Sequence, residues 1–456
     1  MTAGLLMRSR FCLICTCIHG GLLLYGNVSQ AGTPALPAPL DLQQAMAAGT
    51  EELQPALFAV RARQESARAD IRRAESGYAL EADINLEAAR IQPNENAFDQ
   101  SPNDSRASLN IRKPLYDFGY TGSRLQSAET VVNAEQLEYE HDISRQQIAV
   151  TRSFLDAILS DIKFAWDNEA LATAFVRVDK LRRRFDLKQV SEVEVLNADA
   201  DYQKMLTVRR NTEILQRVAR AQLAEVINRP GELSPDMVTP SVDMKSLQLP
   251  DPDALIKHAM QSNIKLRAQA MRVAAAQEAM EAARKQTRPS LAAEVEVSQY
   301  SRDQPSNDDW RASLNLKIPL FENALVKSDV ADKRALWLQQ RAVLFQIESD
   351  VRKYIYDTWM LLNNMAIKAG ELDVAAQAAE RVMDRRRGEY ELELRTDLGD
   401  ALVNTSRVRY EQSKNHFDMI VAAMRLAMLT GLAPRSVIDN HKVSFPVNAT
   451  GETNEN

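Results

Sequence analysis

Polar and apolar residues alternate in four short stretches of this chain; elsewhere they recur with helical spacing. In LEADINLEA, Leu80, Ala82, Ile84, Leu86 and Ala88 alternate with Glu81, Asp83, Asn85 and Glu87. This period of two predicts a strand with one apolar and one acidic face. RASLNIRKPLYDFG, from Arg106 to Gly119, sets Ala107, Leu109 and Ile111 against Arg106, Ser108, Asn110 and Arg112 before reaching Pro114. The third stretch, LAAEVEVS, sets Leu291, Ala293, Val295 and Val297 against Glu294, Glu296 and Ser298. The fourth, RASLNLKIPLFENA from Arg311, sets Ala312, Leu314, Leu316 and Ile318 against Arg311, Ser313, Asn315 and Lys317. Pro114 is expected to end the ladder of its strand, because proline donates no backbone hydrogen bond. The polar loops QPNENAFDQSPNDS and RDQPSNDD join the strands into two hairpins.

The second and fourth stretches are near copies. Seven of fourteen positions are identical, and four more exchange Ile/Leu, Arg/Lys, Tyr/Phe and Asp/Glu. The repeat extends beyond them, since each half reads helix, strand, loop, strand, long helix, turn, helix. Helices are expected over about 41–76 and 252–287, the latter stopping before Pro289. Long helices follow over about 120–185 and 324–388, with Leu155, Ile158, Ile162 and Ala165 or Leu344, Ile347 and Val351 at coiled-coil spacing and no proline. At 1.5 Å per residue, each spans roughly 100 Å. Turns near 186–191 and 391–396 lead to returning helices that end at NRPG and TGLAP. The expected organisation is a first repeat over 32–230, a linker over 231–251, a second repeat over 252–432 and a polar, disordered tail over 433–456.

Composition narrows the class. Glycine (15) and aromatics (6%) are scarce, as suits long helices, and the net charge of −6 carries no basic stripe for nucleic acid. No apolar run reaches the length of a membrane-spanning helix. Arg8 and Arg10 precede an apolar core that ends at Ser29-Gln30-Ala31, the pattern of a secretory signal peptide over 1–31. All three cysteines (Cys12, Cys15 and Cys17) fall within it, so the exported chain is expected to have no thiol chemistry. Removal of Arg8 and Arg10 takes the net charge from −6 to −8. His141, His258 and His416 are scattered, and no nucleophile elbow, phosphate loop or metal-binding spacing occurs. Neither an enzyme, a cofactor nor a metal site is expected.

Each strand is long enough to cross a bilayer when tilted. The alternation fits either a soluble sheet or a membrane barrel whose apolar face meets lipid and whose polar face lines a wet lumen. Export, the lack of a large core beneath the strands, and aromatics at the strand ends (Tyr300 and Trp310; Tyr116, Phe118 and Phe321) favour the barrel. The lumen-facing residues are then Glu81, Asp83, Glu87, Arg106, Arg112, Glu294, Glu296, Arg311 and Lys317. Four strands cannot close a barrel, and lipid does not tolerate open edges. The chain must share its barrel with copies of itself: two give eight strands, three give twelve.

The doubled strand–Pro-Leu-aromatic–helix phrase, the aromatic-initiated turns FDLK and YELE, and the signal peptide resemble the TolC-like outer-membrane efflux protein family over about 40–432. The resemblance implies a mostly α protein with a membrane β-barrel contribution: a long coiled-coil-like α-helical barrel and four strands per protomer, with three protomers sharing a 12-stranded barrel. It implies a homotrimer in the lipid bilayer of a Gram-negative outer membrane, extending into the periplasm. Its partners would be a periplasmic adaptor and an inner-membrane pump of RND or ABC type. The implied gate residues are Tyr390 and Arg395, with Asp397 and Asp400 repeating the family's aspartate pair after a one-residue slip, and Glu194 in the first half. Residues i and i+3 share a helix face, so three copies could ring the pore with acids; a solvated polar face reads the same way. The implied adaptor-contacting tip comprises Phe185, Lys188 and Glu393. Lys188 and Glu393 replace the family's tip glycines, and Asn323-Ala324 replaces another, which points to a non-standard adaptor contact. The competing reading is a periplasmic coiled-coil scaffold with a small soluble sheet.

Overall fold

The computed structural model describes residues 38–51, 54–231, 236–321, 324–392, 398–439 and 445. All but Ala38 belong to one compact unit, Pro39–Asn456. The expected signal peptide, Glu393, Arg395 and Asp397 lie outside the described residues.

The helix expected over 41–76 is two helices, α1 (Leu42–Gly49) and α2 (Pro55–Glu75). Asp41 caps α1 in a reciprocal box with Gln44. Pro55 opens α2, where its missing N–H costs nothing and its fixed φ suits a first turn. A single 3₁₀ turn, Ser76–Tyr78, leads into β1 (Glu81–Glu87), which is followed by β2 (Arg106–Tyr116). The long helices are α3 (Tyr120–Asp186) and, in the second repeat, α7 (Ala324–Glu391). The returning helix of the first repeat is α4 (Glu192–Val226).

The helix expected over 252–287 is also split, into α5 (Pro252–Ser262) and α6 (Ile264–Lys285). Asn263 makes the break. Its backbone is extended, its side-chain oxygen accepts from the Leu266 N–H (3.0 Å), and its Nδ2 donates to the Leu429 carbonyl (2.8 Å). One residue therefore caps α6 and ties it to the end of α8 (Gly399–Leu429). β3 (Ser290–Tyr300) and β4 (Trp310–Lys317) complete the sheet.

The four strands form one antiparallel sheet in the order β1-β2-β3-β4, so the first hairpin pairs with the second through β2 and β3. Pro114 does not end its ladder. It pairs opposite Ala292, and Tyr116 pairs opposite Leu291 after a register shift. The irregularity absorbs the missing donor, as bulges do. In the second copy, β4 does stop at Lys317, ahead of Pro319.

α3 is the central helix. It packs against α2 and α6 toward the sheet and against α4 and α8 toward the tip, whereas α7 packs against α6, α5 and α8. No described helix is long and apolar enough to cross a membrane.

The linker and the described beginning of the tail are packed. In the linker, Val242 and Met244 are buried, and Leu40 exchanges backbone hydrogen bonds with Asp236 and Val238. In the tail, Ser436–Asp439 form the short helix α9. Val437 is buried there, Arg435 pairs with Asp439 (2.7 Å), and Gln43 donates to Asp439 (3.1 Å). The rest of the expected tail beyond Asp439, Phe445 apart, lies outside the described residues.

Candidate functional site: a polar sheet face leading into a helical tip

The register sorts the strands into rows. Ile84, Leu109, Val297 and Trp310 lie side by side across the sheet, as do Ala82, Ile111, Val295 and Ala312. The alternate rows are Glu81, Arg112, Glu294 and Ser313, then Asp83, Asn110, Glu296 and Arg311. Side chains alternate between faces along a strand, so the sheet has one apolar and one polar side.

The polar side is cross-linked. Arg112 reaches Glu294 (3.2 Å) and Glu81 (3.7 Å), Asn110 donates to Asp83 (3.0 Å), and Asn315 donates to Glu294. Arg106 pairs with Glu296, which also accepts from Ser298 (2.7 Å), and Arg311 pairs with Asp308 (2.8 Å). Glu87 lies opposite Arg106 in register, and Lys317 ends β4 on the same side. The polar face is therefore a lattice of opposite charges rather than a one-sign surface.

Of the end-of-strand aromatics, Trp310 falls on the apolar side and is 69% exposed, while Phe321 is 90% exposed. Tyr300 falls on the polar side, with the Arg106 guanidinium over its ring at 5.3 Å. Its strand parity places it with Glu296 and Ser298, on the side opposite Trp310.

At the other end of the sheet, Asp117 organises the turn into α3. It accepts from the Tyr78 hydroxyl (2.7 Å) and from the N–H groups of Thr121 (2.7 Å) and Gly119 (3.1 Å). Partial burial pushes the Asp117 carboxyl up, but hydrogen bonds from Thr121, Tyr78 and Gly119 outweigh it and leave the carboxyl below its ordinary range. Burial, followed by the hydrogen bond to Asp117, pushes Tyr78 up to about 12. Phe118 and Gly119 both have positive φ (52° and 88°), and Arg288 holds the Phe118 carbonyl (3.0 Å). A bulky residue in this region is strained and persists only where neighbours impose it.

At the far end of α3, the first tip turn is a closed cap. Gln189 N–H bonds to the Arg184 carbonyl (2.8 Å) and Lys188 N–H to the Phe185 carbonyl (2.8 Å), with Lys188 at φ 58°. This is the left-handed position that ends many helices and that glycine fills most easily. Lysine thus stands where the backbone demands a glycine-like conformation. Phe185 and Lys188 are both exposed. Glu194 accepts from Ser191 N–H (2.8 Å) and Oγ (3.0 Å), while Ser191 Oγ accepts from Glu194 N–H (3.3 Å). The backbone bond from Ser191, then its hydroxyl, holds the Glu194 carboxyl below its ordinary range. Glu194 is engaged in starting α4.

Of the expected gate residues, Tyr390 is half-exposed near the end of α7, and Asp400 accepts from Arg177 of α3 (3.1 Å). The latter contact is the lowest rung of a seam along which α3 meets α8. At Gly399, an added Cβ would lie 2.5 Å from Thr173 Cγ2. Above it, Ser406 donates to Glu169, then Lys163 lies over the Trp166 ring (3.9 Å) and faces Tyr410 (5.8 Å), and Arg152 pairs with Asp418 (2.6 Å). Sequence reasoning missed these residues, because nothing local says that α3 and α8 are neighbours. It also missed Arg302. Read as part of a polar loop, Arg302 is buried, bonds the Asp99 carbonyl and pairs with Asp104 (3.6 Å), tying the two hairpin loops together.

No protein-family model and no curated protein matches the chain. Solved structures do. The outer membrane protein VceC of Vibrio cholerae is similar at 15% identity and a TM-score of 0.66, over 86% of this chain and 96% of that one. The outer membrane channel CmeC of Campylobacter jejuni is similar at 13% identity and 0.67, over 86% and 85%. The open state of the MtrE outer membrane channel of Neisseria gonorrhoeae is similar at 14% identity and 0.64, over 88% and 91%. The chain thus has the mostly helical fold of the TolC-like outer-membrane channels, with its four-stranded sheet.

Proposed function

We propose that this chain is an outer-membrane export duct of the TolC-like kind. It forms a homotrimer whose shared 12-stranded barrel crosses the outer membrane of a Gram-negative bacterium and whose helices extend into the periplasm. The observation that carries this reading is a matched pair of open edges. Among the described residues, β1 and β4 each have a strand on one side only. In the helical layer, α4 and α7 are likewise terminal, with α3 and α8 between them.

Both terminal helices carry exposed apolar stripes. On α7, Leu338, Phe345, Tyr356, Met360, Ile367 and Val374 recur at separations of 4, 7 and 11, with Ile367 at 68% and Val374 at 67% exposure. On α4, Val193, Leu196, Ile214 and Val218 share an exposed face. Joining one copy's α7 and β4 to the next copy's α4 and β1 covers both edges at once. Such a head-to-tail contact closes into a ring. The polar sheet face then lines the lumen and the apolar face meets lipid.

In this reading the tip is the gate. Arg177–Asp400 latches the two helical hairpins, and the expected gate residues Tyr390, Arg395 and Asp397 act with it. Glu194 acts as a cap and not as a ring acid. A periplasmic adaptor docks on the tip near Phe185, Lys188 and Glu393, and an RND or ABC pump supplies the cargo, so cargo choice resides largely in the pump.

The test combines fractionation with conductance. The exported protein should sit in outer membranes, yield trimers on cross-linking and form ion-conducting pores in planar bilayers. A soluble periplasmic monomer that conducts nothing would establish the scaffold reading instead.

A further inference from the structure

The linker does more than connect the repeats. Residues 239–249 lie across α7 and α8, held by Lys245–Asp373 (2.6 Å) on one side and by the Trp359 indole N–H bonded to the Pro250 carbonyl (2.9 Å) on the other. Between this strap and the two helices is a cavity of about 720 Å³. Its walls include Met244, Leu247 and Leu249 from the strap, Trp359 from α7, and Phe417 and Met419 from α8. Ligand pockets commonly measure about 300–1,000 Å³ and combine apolar walls with a few polar groups.

The floor is built from small residues. Ala366, Ala369 and Gly370 share one face of α7 at i, i+3 and i+4 and all line the cavity. A Cβ added to Gly370 meets nothing within 4 Å. Gly370 and Ala366 are exposed, so the floor opens to solvent on that side, and glycine inside a helix is disfavoured relative to alanine. Here the chain carries that cost at a position where a larger side chain would fill the space.

The polar groups around the cavity restrict what it can hold. Asn415 is spent on the Met365 carbonyl (3.0 Å), and Gln412 on Asp373 (3.3 Å). Lys245 and Asp373 neutralise each other, so a charged guest would find no free counter-charge in that pair. His416 has no hydrogen-bond partner among the described residues. Burial keeps its pKa below the ordinary value, against a weaker opposing pull from Asp243, so the ring is neutral at neutral pH and can both donate and accept.

We propose that the cavity between the linker strap and α7–α8 is a binding site for an uncharged, largely apolar aromatic small molecule, which rests against Trp359 and hydrogen-bonds to His416. This inference stands apart from the duct reading, because every residue in it lies within one protomer and outside the sheet.

The probe is the neutral photoreactive compound 3-trifluoromethyl-3-(m-iodophenyl)diazirine, added to the purified full chain in lipid nanodiscs. Labelled positions are mapped by peptide mass spectrometry. The expected result is labelling of the 239–249 and Trp359–Asp373 peptides that excess unlabelled aromatic competitor suppresses. Gly370→Phe, which fills the cavity, should reduce that labelling several-fold, while Gly370→Ala should leave it nearly unchanged. Absent or non-saturable labelling of these peptides in the unmodified protein would overturn the site, whatever the variants do. Undiminished labelling in a Gly370→Phe protein with an unchanged helical spectrum would do the same. The lipid-facing strands provide a separate readout: if they fail to label, the membrane reading falls and the cavity does not.

Discussion

The two long helices, α3 and α7, occupy equivalent places in the repeat and are 67 and 68 residues long, yet they live in different surroundings. α3 buries sixteen residues, among them Phe154, Leu155 and Ile158, and has neighbours on both flanks; α7 buries five. A sequence repeat therefore duplicates an element without duplicating its environment. The copy at the edge of the layer keeps an apolar face uncovered, and water alone is a poor partner for such a face.

This contrast should separate two kinds of mutant. Phe154→Ala empties a fully buried site and should destabilise the protomer by about 3–5 kcal/mol, read as a fall in its unfolding midpoint. Ile367→Asp on α7 should leave the protomer's helical content intact and abolish cross-linked trimers. If Ile367→Asp unfolds the protomer as readily as Phe154→Ala does, the two helices are not different in kind.

The helix ends extend the comparison. α4 and α8 finish in equivalent caps, with Asn228 (φ 58°) and Gly431 (φ 78°) at positive φ. A Cβ on Gly431 would also lie 2.3 Å from the Ser262 carbonyl oxygen. Gly431→Ala should cost about 2 kcal/mol or more, whereas Asn228→Gly should be close to neutral, as thermal melts would show.

A smaller effect, of opposite sign, belongs to the first tip. Lys188→Gly relieves a left-handed non-glycine residue and should stabilise the turn by about 1 kcal/mol. At the junction, Tyr78→Phe should cost about 1 kcal/mol by removing a donor to Asp117. The folded pKa of Asp117 is depressed, so its contribution is present above the unfolded value of about 4 and lost as pH falls through the folded value. Tyr78 behaves oppositely: its contribution holds below its unfolded value and is lost as pH rises through about 12. Stability measured across pH in the wild type and in Tyr78→Phe should diverge least at the acid end.

Asp400→Asn should move the melt least of all, because Arg177–Asp400 is an exposed pair. It should nonetheless raise single-pore conductance or open time if that rung latches the tip. Unchanged conductance would reduce the rung to a surface contact.

Much of the fold was legible in the chain. Period-two runs announced the four strands and their two faces, because a strand's side chains alternate whatever it pairs with. The breaker-free apolar spacing announced α3 and α7, and the stop signals NRPG and TGLAP announced the ends of α4 and α8. Legibility failed where a local rule met a distant partner. Pro114 stayed within β2 because β3 could accommodate a shift. Asn263 split a helix because the end of α8 offered it a carbonyl. Tyr300 falls on the polar side because its parity puts it beside Arg106, and Ser436–Asp439 form a helix packed on α8 and tied to Gln43 of α1.

By itself, then, the sequence determined which segments are strand and helix, which faces are apolar, and that the pattern occurs twice. These properties follow from periodicity and backbone stereochemistry within a few residues. Only the tertiary structure decided that β2 lies beside β3, that α3 is central and α7 terminal, that Arg177 meets Asp400, and that the linker roofs a cavity over Gly370. Each of those depends on contacts between residues far apart in the chain, which no local period encodes.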